Sequence, residues 1–180
     1  MNIAIIPARG GSKRIPKKNI RLFRGKPMIA WSIDTAIKSN CFDKVLVSTD
    51  SEEIASLAID FGACVPFLRP SSLSDDYSTT KEVIIHCINW LRSNHFSLDN
   101  VCCIYATAPF ANPEDLKRAF KLIEKQKKDR FIFTATNFSF PIQRAVKINK
   151  SGISSMFYPD EFNIRSQDLE DAYHDAGQFY

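Results

Sequence analysis

The run Asn2-Ile3-Ala4-Ile5-Ile6-Pro7 is apolar without alternation. A strand with one wet face alternates, so this run predicts a strand buried on both faces, as in the centre of a parallel sheet. Parallel strands need long crossovers between them, and the sequence supplies them. Residues 27–38 carry Met28, Trp31, Ile33, Ala36 and Ile37 at helical spacing. A second strand is expected over 44–48. Thr49-Asp50-Ser51-Glu52-Glu53 then opens a helix that Asp50 is expected to cap while Glu53 reaches back. Ile54, Leu57, Ala58 and Phe61 form its buried face and Gly62 ends it.

A third strand is expected over 64–68 and a polar loop over 69–78. Thr79 and Glu82 have capping-box spacing ahead of Val83, Ile84, Cys87, Ile88 and Leu91. A fourth strand over 101–105 and a helix opened by Asn112-Pro113, running to about Lys127, follow. A fifth strand is expected over 130–136. This alternation predicts an α/β fold: a mostly parallel, Rossmann-like sheet with helices on both faces and right-handed crossovers.

The alternation stops at Asn137. From there to Gln167, aromatics (Phe138, Phe140, Phe157, Tyr158, Phe162), prolines and short β-like pieces replace it. The expectation is one domain over 1–180, with 137–167 as a small irregular β insertion used for dimerisation.

Composition excludes several classes. The 180 residues are 44% hydrophobic and 24% charged, which is ordinary globular usage rather than disorder. A net charge of +4 is well short of a polybasic nucleic-acid binder and suits a small polyanion, although a merely basic surface satisfies the same number. The basic run Lys117, Lys121, Lys125, Lys127, Lys128 and Arg130 reads as a solvated helix end. Five cysteines with no Cys-x-x-Cys, spread through apolar runs, indicate a reducing cytoplasm and no disulfide framework. No secretory leader and no membrane-length apolar run is found, so no membrane partner is expected.

In open α/β sheets ligands bind outside the carboxyl ends of the strands. The first such end is Ala8-Arg9-Gly10-Gly11-Ser12-Lys13-Arg14-Ile15-Pro16-Lys17-Lys18-Asn19. Paired glycines let backbone N–H groups approach an anion, Ser12 adds a hydroxyl, and Arg9, Lys13 and Lys18 add charge. On these grounds alone, anion binding and an ordinary exposed turn remain open. The loop is not a Walker motif, since Gly25-Lys26 is followed by Pro27, and no G-x-G-x-x-G exists. A kinase or dehydrogenase of the usual type is thereby disfavoured.

The string Ile6 to Lys13, with Ile15-Pro16 and Lys18-Asn19, closely resembles the opening motif of the CMP-sialate synthetases. Further matches follow in order: Val47-Ser48-Thr49-Asp50-Ser51-Glu52-Glu53-Ile54-Ala55, then Arg69-Pro70 with Leu73, Asp75 and Thr79, then Thr107-Ala108-Pro109-Phe110. The stretch from Arg165-Ser166-Gln167 through Tyr173-His174-Asp175-Ala176-Gly177-Gln178-Phe179-Tyr180 looks most like the pseudaminic acid branch of that family.

The resemblance implies a CTP-dependent cytidylyltransferase of the nucleotide-diphospho-sugar transferase type. It would move CMP onto a nine-carbon acidic sugar, pseudaminic acid, with sialate and legionaminate as the alternatives within the class, and would act as a homodimer in the cytoplasm. Its product would feed surface-glycan or flagellin glycosylation. By the same resemblance, Arg9, Lys13 and Lys18 serve catalysis. The CTP site comprises Ala8, Arg9, Gly10, Gly11, Ser12, Lys13, Lys18, Asn19 and Arg69. The sugar would meet Tyr105, Thr107, Arg165, Gln167, His174, Asp175 and Gln178.

Two departures stand out. Sialate enzymes commonly carry Gln-Pro-Thr-Ser-Pro where this chain has Tyr105-Ala106-Thr107-Ala108-Pro109, which points away from sialic acid. The family's late Asp-x-Asp pair, which holds Mg²⁺, has no counterpart here. The metal ligands are therefore unassigned, and the C-terminal part of the family domain is expected to be missing. A non-catalytic nucleotide-binding or dimer-forming module is the reading from another class. His174-Asp175 could be a base with its orienting carboxylate, but sugar contact or a capped loop histidine is the simpler role. Asp75-Asp76 reads as a solvated loop pair rather than a metal pair.

Overall fold

In the computed structural model, which describes residues 1–126 and 131–180, the opening apolar run forms β1 (Asn2–Pro7). A short hairpin follows, β2 (Leu22–Phe23) and β3 (Lys26–Pro27). Its two-residue turn, Arg24-Gly25, has positive φ at both positions, 49° and 78°, the primed-turn geometry that glycine favours. Then come α1 (Met28–Ser39), β4 (Lys44–Ser48), α2 (Glu52–Asp60), α3 (Thr80–Ser93), β5 (Asn100–Cys103) and α4 (Pro113–Lys125).

The sheet has the order β4-β1-β5, all parallel. Ile3 to Pro7 pair with Lys44 to Ser48, and Asn2 to Ile5 pair with Asn100 to Cys103. Side chains alternate across a strand, so β1 feeds two cores. Ala4 and Ile6 pack with Ile29 and Ile33 of α1, Ile54 and Ala58 of α2, and Leu116 of α4. Ile3 and Ile5 pack with Leu46, and with Cys87 and Leu91 of α3. Helices therefore cover both faces, as the unbroken apolar run requires.

Three expectations are corrected. Residues 64–68 form no continuous strand, only the bridges Leu46 to Cys64 and Thr49 to Leu68. Pro66 lies between them and has no N–H for a ladder. The first turn of α2 is capped by Ser51, whose Oγ accepts from the Ile54 N–H at 3.4 Å. Helical geometry begins at Glu52, so the cap must be the extended residue just before it, and Asp50 is released for another bond. The described part of the expected fifth strand does not join the parallel sheet. Its last residues form β6 (Ala135–Asn137), antiparallel to β9 (Tyr173–Asp175). β-propensity favours an extended chain without choosing its partner. Lys127 and Arg130, the expected end of α4 and start of that strand, lie outside the described residues.

The Thr79–Glu82 capping box is present in both directions, at 3.2 and 2.7 Å. Asn112 caps α4 through the Glu114 N–H, with Pro113 at the first helical position. The free edge of β5 is met by the last residues: Cys103 and Tyr180 exchange backbone hydrogen bonds at 2.9 Å.

The chain divides into two compact units, Met1–Phe133 with Gly177–Tyr180, and Thr134–Ala176. The second contains β6, β9 and the hairpin of β7 (Val146–Ile148) with β8 (Ser154–Met156). Asn149 Oδ1 closes that hairpin on the Ser151 and Ile153 N–H groups. Among the described residues, no helix is long and apolar enough to cross a membrane.

Ile5 is fully buried. Ile5→Ala should lower unfolding free energy by about 3 kcal/mol, read as a drop in the urea midpoint at unchanged slope.

Candidate functional site

β1 ends at Pro7, and the loop over 8–19 leaves from its carboxyl end. Four residues anchor that loop. Ala8 is buried and donates to the Ser48 carbonyl at 2.9 Å, extending the sheet by one bond. Gly10 donates its N–H to Asp50 Oδ1 at 2.8 Å. Lys17, at φ 52°, places its ammonium on both oxygens of Glu53 in α2, at 2.8 and 2.9 Å. Asn19 is buried; its Nδ2 donates to the Arg9 carbonyl at 2.9 Å, and its own carbonyl takes the Ile29 N–H of α1 at 2.8 Å. The loop is thus tied to β4, α1 and α2 before any ligand is considered.

Beneath it lies a cavity of about 810 Å³. Of the residues singled out in the sequence, Arg9, Ser12, Lys13, Lys18, Asn19, Arg69, Tyr105 and Thr107 line it together. Ala8, Gly10 and Gly11 shape the loop without lining the cavity. Gln178 accepts the Tyr105 N–H through its carbonyl at 3.0 Å. Arg165, Gln167, His174 and Asp175 belong to the second unit. There Arg165 Nε meets Asp168 at 2.8 Å, and the His174 ring packs edge-on against Phe138.

The cavity is strongly cationic. Arg9 Nη1 donates to the Asp75 carbonyl at 2.6 Å, Arg9 Nη2 lies 2.8 Å from Asp76 Oδ1, and Lys13 contacts Asp76 Oδ2. Lys18 has no ion-pair partner among the described residues. The Arg69 side chain is only 3% exposed, with Asp50 Oδ1 at 3.9 Å as its nearest carboxylate. Its Nε and Nη2 have no hydrogen-bond partner. Burial pushes the Arg69 pKa below its ordinary value, while the Asp50 charge opposes that shift. A guanidinium stays charged in proteins, so Arg69 borders the cavity as a buried cation with two donors that have no partner among the described residues.

Sequence reasoning missed what steadies the far wall. Ser32 Oγ and Thr35 Oγ1, both buried on α1, donate to the Tyr105 and Ala111 carbonyls at 2.8 and 3.1 Å. Small hydroxyl residues within an apolar helix face were the available signal. Ser78 and Thr80 also line the cavity, brought there by the turn that Asp75 closes. Asp75 Oδ1 accepts from the Ser78 N–H and Oγ, both at 2.7 Å, and from the Tyr77 N–H at 3.0 Å.

Among the described residues, no three His, Cys, Asp or Glu side chains cluster as metal ligands. Asp75 and Asp76 are committed to the turn and to Arg9 and Lys13. Burial pushes the Cys102 and Cys103 thiols up to about 12; they stay protonated, and it is the thiolate that binds metal. The described residues thus offer no ligand set that fits Mg²⁺.

Two predictions follow from this geometry. A Cβ on Gly10 would stand 3.0 Å from Ser51 Cβ, whereas one on Gly11 meets nothing within 4 Å. Gly10→Ala should destabilise by about 1–2 kcal/mol and Gly11→Ala by under about 0.5 kcal/mol, compared by thermal melting. Separately, Asp75 is held below its ordinary pKa chiefly by the Ser78 hydroxyl, Asp76 by Lys13 and Arg9, and Glu82 by Thr79. Their stabilisation is whole above the ordinary carboxyl range and is lost as pH falls through the lowered values. Hydrogen-exchange protection over 75–82 should therefore hold at neutral pH and collapse below about pH 4.

Residues 3–152 match the family model described as Cytidylyltransferase. The chain is 51% identical over 180 residues to pseudaminic acid cytidylyltransferase of Campylobacter jejuni subsp. jejuni serotype O:2, covering 99% of this chain and 77% of that one. It is 41% identical over 120 residues to CMP-N,N'-diacetyllegionaminic acid synthase of Legionella pneumophila, covering 67% of this chain and 52% of the other. Among solved structures, CMP:2-keto-3-deoxy-manno-octonic acid synthetase complexed with CTP superposes with a TM-score of 0.72 at 17% identity. That match covers 99% of this chain and 72% of the other, and it supports the α/β fold alone.

Proposed function

This chain belongs to the cytidylyltransferase family, and we propose that it transfers CMP from CTP to pseudaminic acid, a nine-carbon acidic sugar, with release of pyrophosphate. The observation that carries the reading is the convergence of Arg9, Lys13, Lys18 and Arg69 on one cavity at the carboxyl end of the central strand. The choice of sugar rests on the 51% identity to the Campylobacter enzyme.

In the reaction the sugar's anomeric hydroxyl attacks the α-phosphorus of CTP. A new P–O bond forms, the α–β bridge breaks, and pyrophosphate leaves with the electron pair. Such transfers depend on positioning and on stabilising charge that spreads over phosphate oxygens. Arg9, Lys13 and Lys18 are assigned that work, with the Ser12 hydroxyl as a further donor and Asn19 holding the loop against the ribose side. Arg69, whose buried guanidinium borders the cavity, is assigned to the cytosine. Tyr105, steadied by Ser32 and Gln178, and Thr107 are assigned to the sugar.

The second unit is assigned to self-association. Phe140, Phe157, Phe162 and Tyr173 are exposed there in the single chain, and aromatic side chains are favoured at interfaces. The reaction is placed in the cytoplasm, where CTP is available, with its product consumed in glycosylation.

Pyrophosphate release from CTP should be measured with pseudaminic, legionaminic and N-acetylneuraminic acids. The highest kcat/KM is expected with the first. Lys18→Met removes a cation with no ion-pair partner among the described residues, so it should lower kcat/KM by about 100-fold with little change in melting temperature. No release with any of the three sugars overturns the reading; preference for legionaminic acid moves the substrate and leaves the chemistry.

A further inference from the structure

Two of the cations assigned to the triphosphate are already occupied. Asp76 sets one carboxylate oxygen on Arg9 Nη2, at 2.8 Å, and the other on Lys13 Nζ. A pair of phosphate oxygens would bridge the same two donors in the same way. The carboxylate is delivered by a built turn: Asp75 Oδ1 gathers the Tyr77 and Ser78 N–H groups, and Arg9 holds the Asp75 carbonyl at 2.6 Å. Folding does not require this contact to neutralise a buried charge. The Asp76 side chain is 35% exposed and that of Lys13 is 81% exposed. Arg69 is the buried cation, and its carboxylate is Asp50.

We propose that Asp76 is an internal anion of the nucleotide site: it holds Arg9 and Lys13 in place while the cavity is empty and is displaced by the polyphosphate. A ligand must then bring more negative charge than one carboxylate to claim both cations. Asp76 thereby acts as a specificity determinant, favouring a triphosphate over a singly charged acid such as the sugar substrate at the phosphate subsite. Its return to Arg9 and Lys13 competes with pyrophosphate for the same donors after transfer. This inference rests on the nucleotide reading of the cavity.

The test is calorimetric binding of CTP and of inorganic tripolyphosphate to the wild-type chain, D76N and D76S. Loss of two partly exposed ion pairs should tighten both ligands by about three- to tenfold in each variant. The gain should shrink as salt screens the competition. Two variants of different size separate charge from a local packing change, and melting curves report that each is folded. Unchanged or weaker tripolyphosphate binding by folded D76N and D76S, with CTP still bound by the wild type, overturns the role of Asp76 and leaves the nucleotide site standing. Binding of neither ligand by any of the three overturns both.

Discussion

Burial of β1 on both faces is the constraint from which the rest of the molecule follows. Its backbone is paired on both edges, and its side chains are divided between two helical layers. Such a strand has no freedom in register, because a one-residue slip would exchange the residues of the two cores. The point where it ends is therefore fixed, and so is the origin of the loop that follows. Ala8 carries the last sheet bond, and Arg9 is the first charged residue to face the cavity. The positions of the cationic side chains are inherited from the packing of Ile3 to Ile6.

Holding five cations around one cavity raises a problem of mutual repulsion, and two carboxylates answer it in different ways. Asp50 stands at the carboxyl end of β4, takes the Gly10 N–H and lies nearest to buried Arg69. It is part of the scaffold: losing its charge would leave a buried guanidinium without compensation, which is costly. Asp76 sits on a loop, meets two partly exposed cations and supports no buried charge. One carboxylate is built in and the other is exchangeable. What separates them is burial, since both are the same residue type at a short distance from arginine.

Much of the fold was legible because the signals were local or periodic. The β1 run, the Thr79–Glu82 box, the Asn112-Pro113 start and the membership of the cationic loop all depend on neighbours within a few residues. The errors came where a decision depended on a distant partner. Asp50 and Ser51 are both good caps by composition; the start of α2 at Glu52 gives the cap to Ser51, and Asp50 goes to Gly10, forty positions away. The extended stretch ending in Asn137 pairs with Tyr173 to Asp175, not with the parallel sheet. Pro66 could have been read as a ladder breaker, and Arg24-Gly25 as a primed turn, from the sequence itself. That the cavity wall is braced by Ser32 and Thr35 could not, because hydroxyls on a helix face do not reveal which carbonyls they meet.

The glycine pair at the centre of the loop changes meaning under this geometry. In a loop that binds phosphate through its backbone, the amides point at the ligand. Here two of those amides are already used: the Gly10 N–H donates to Asp50 and the Ser12 N–H to the Gly10 carbonyl at 2.9 Å. At Gly10 a Cβ would stand only 3.0 Å from Ser51 Cβ, so Ser51 crowds any side chain there. In the proposed site, what the loop offers a ligand is therefore chiefly the side chains of Arg9, Lys13 and Lys18. Long cationic side chains are screened by salt and can be engaged by a competing carboxylate. A backbone cradle would offer little for Asp76 to compete for, so the side-chain construction of the site and the presence of an internal anion belong to the same design.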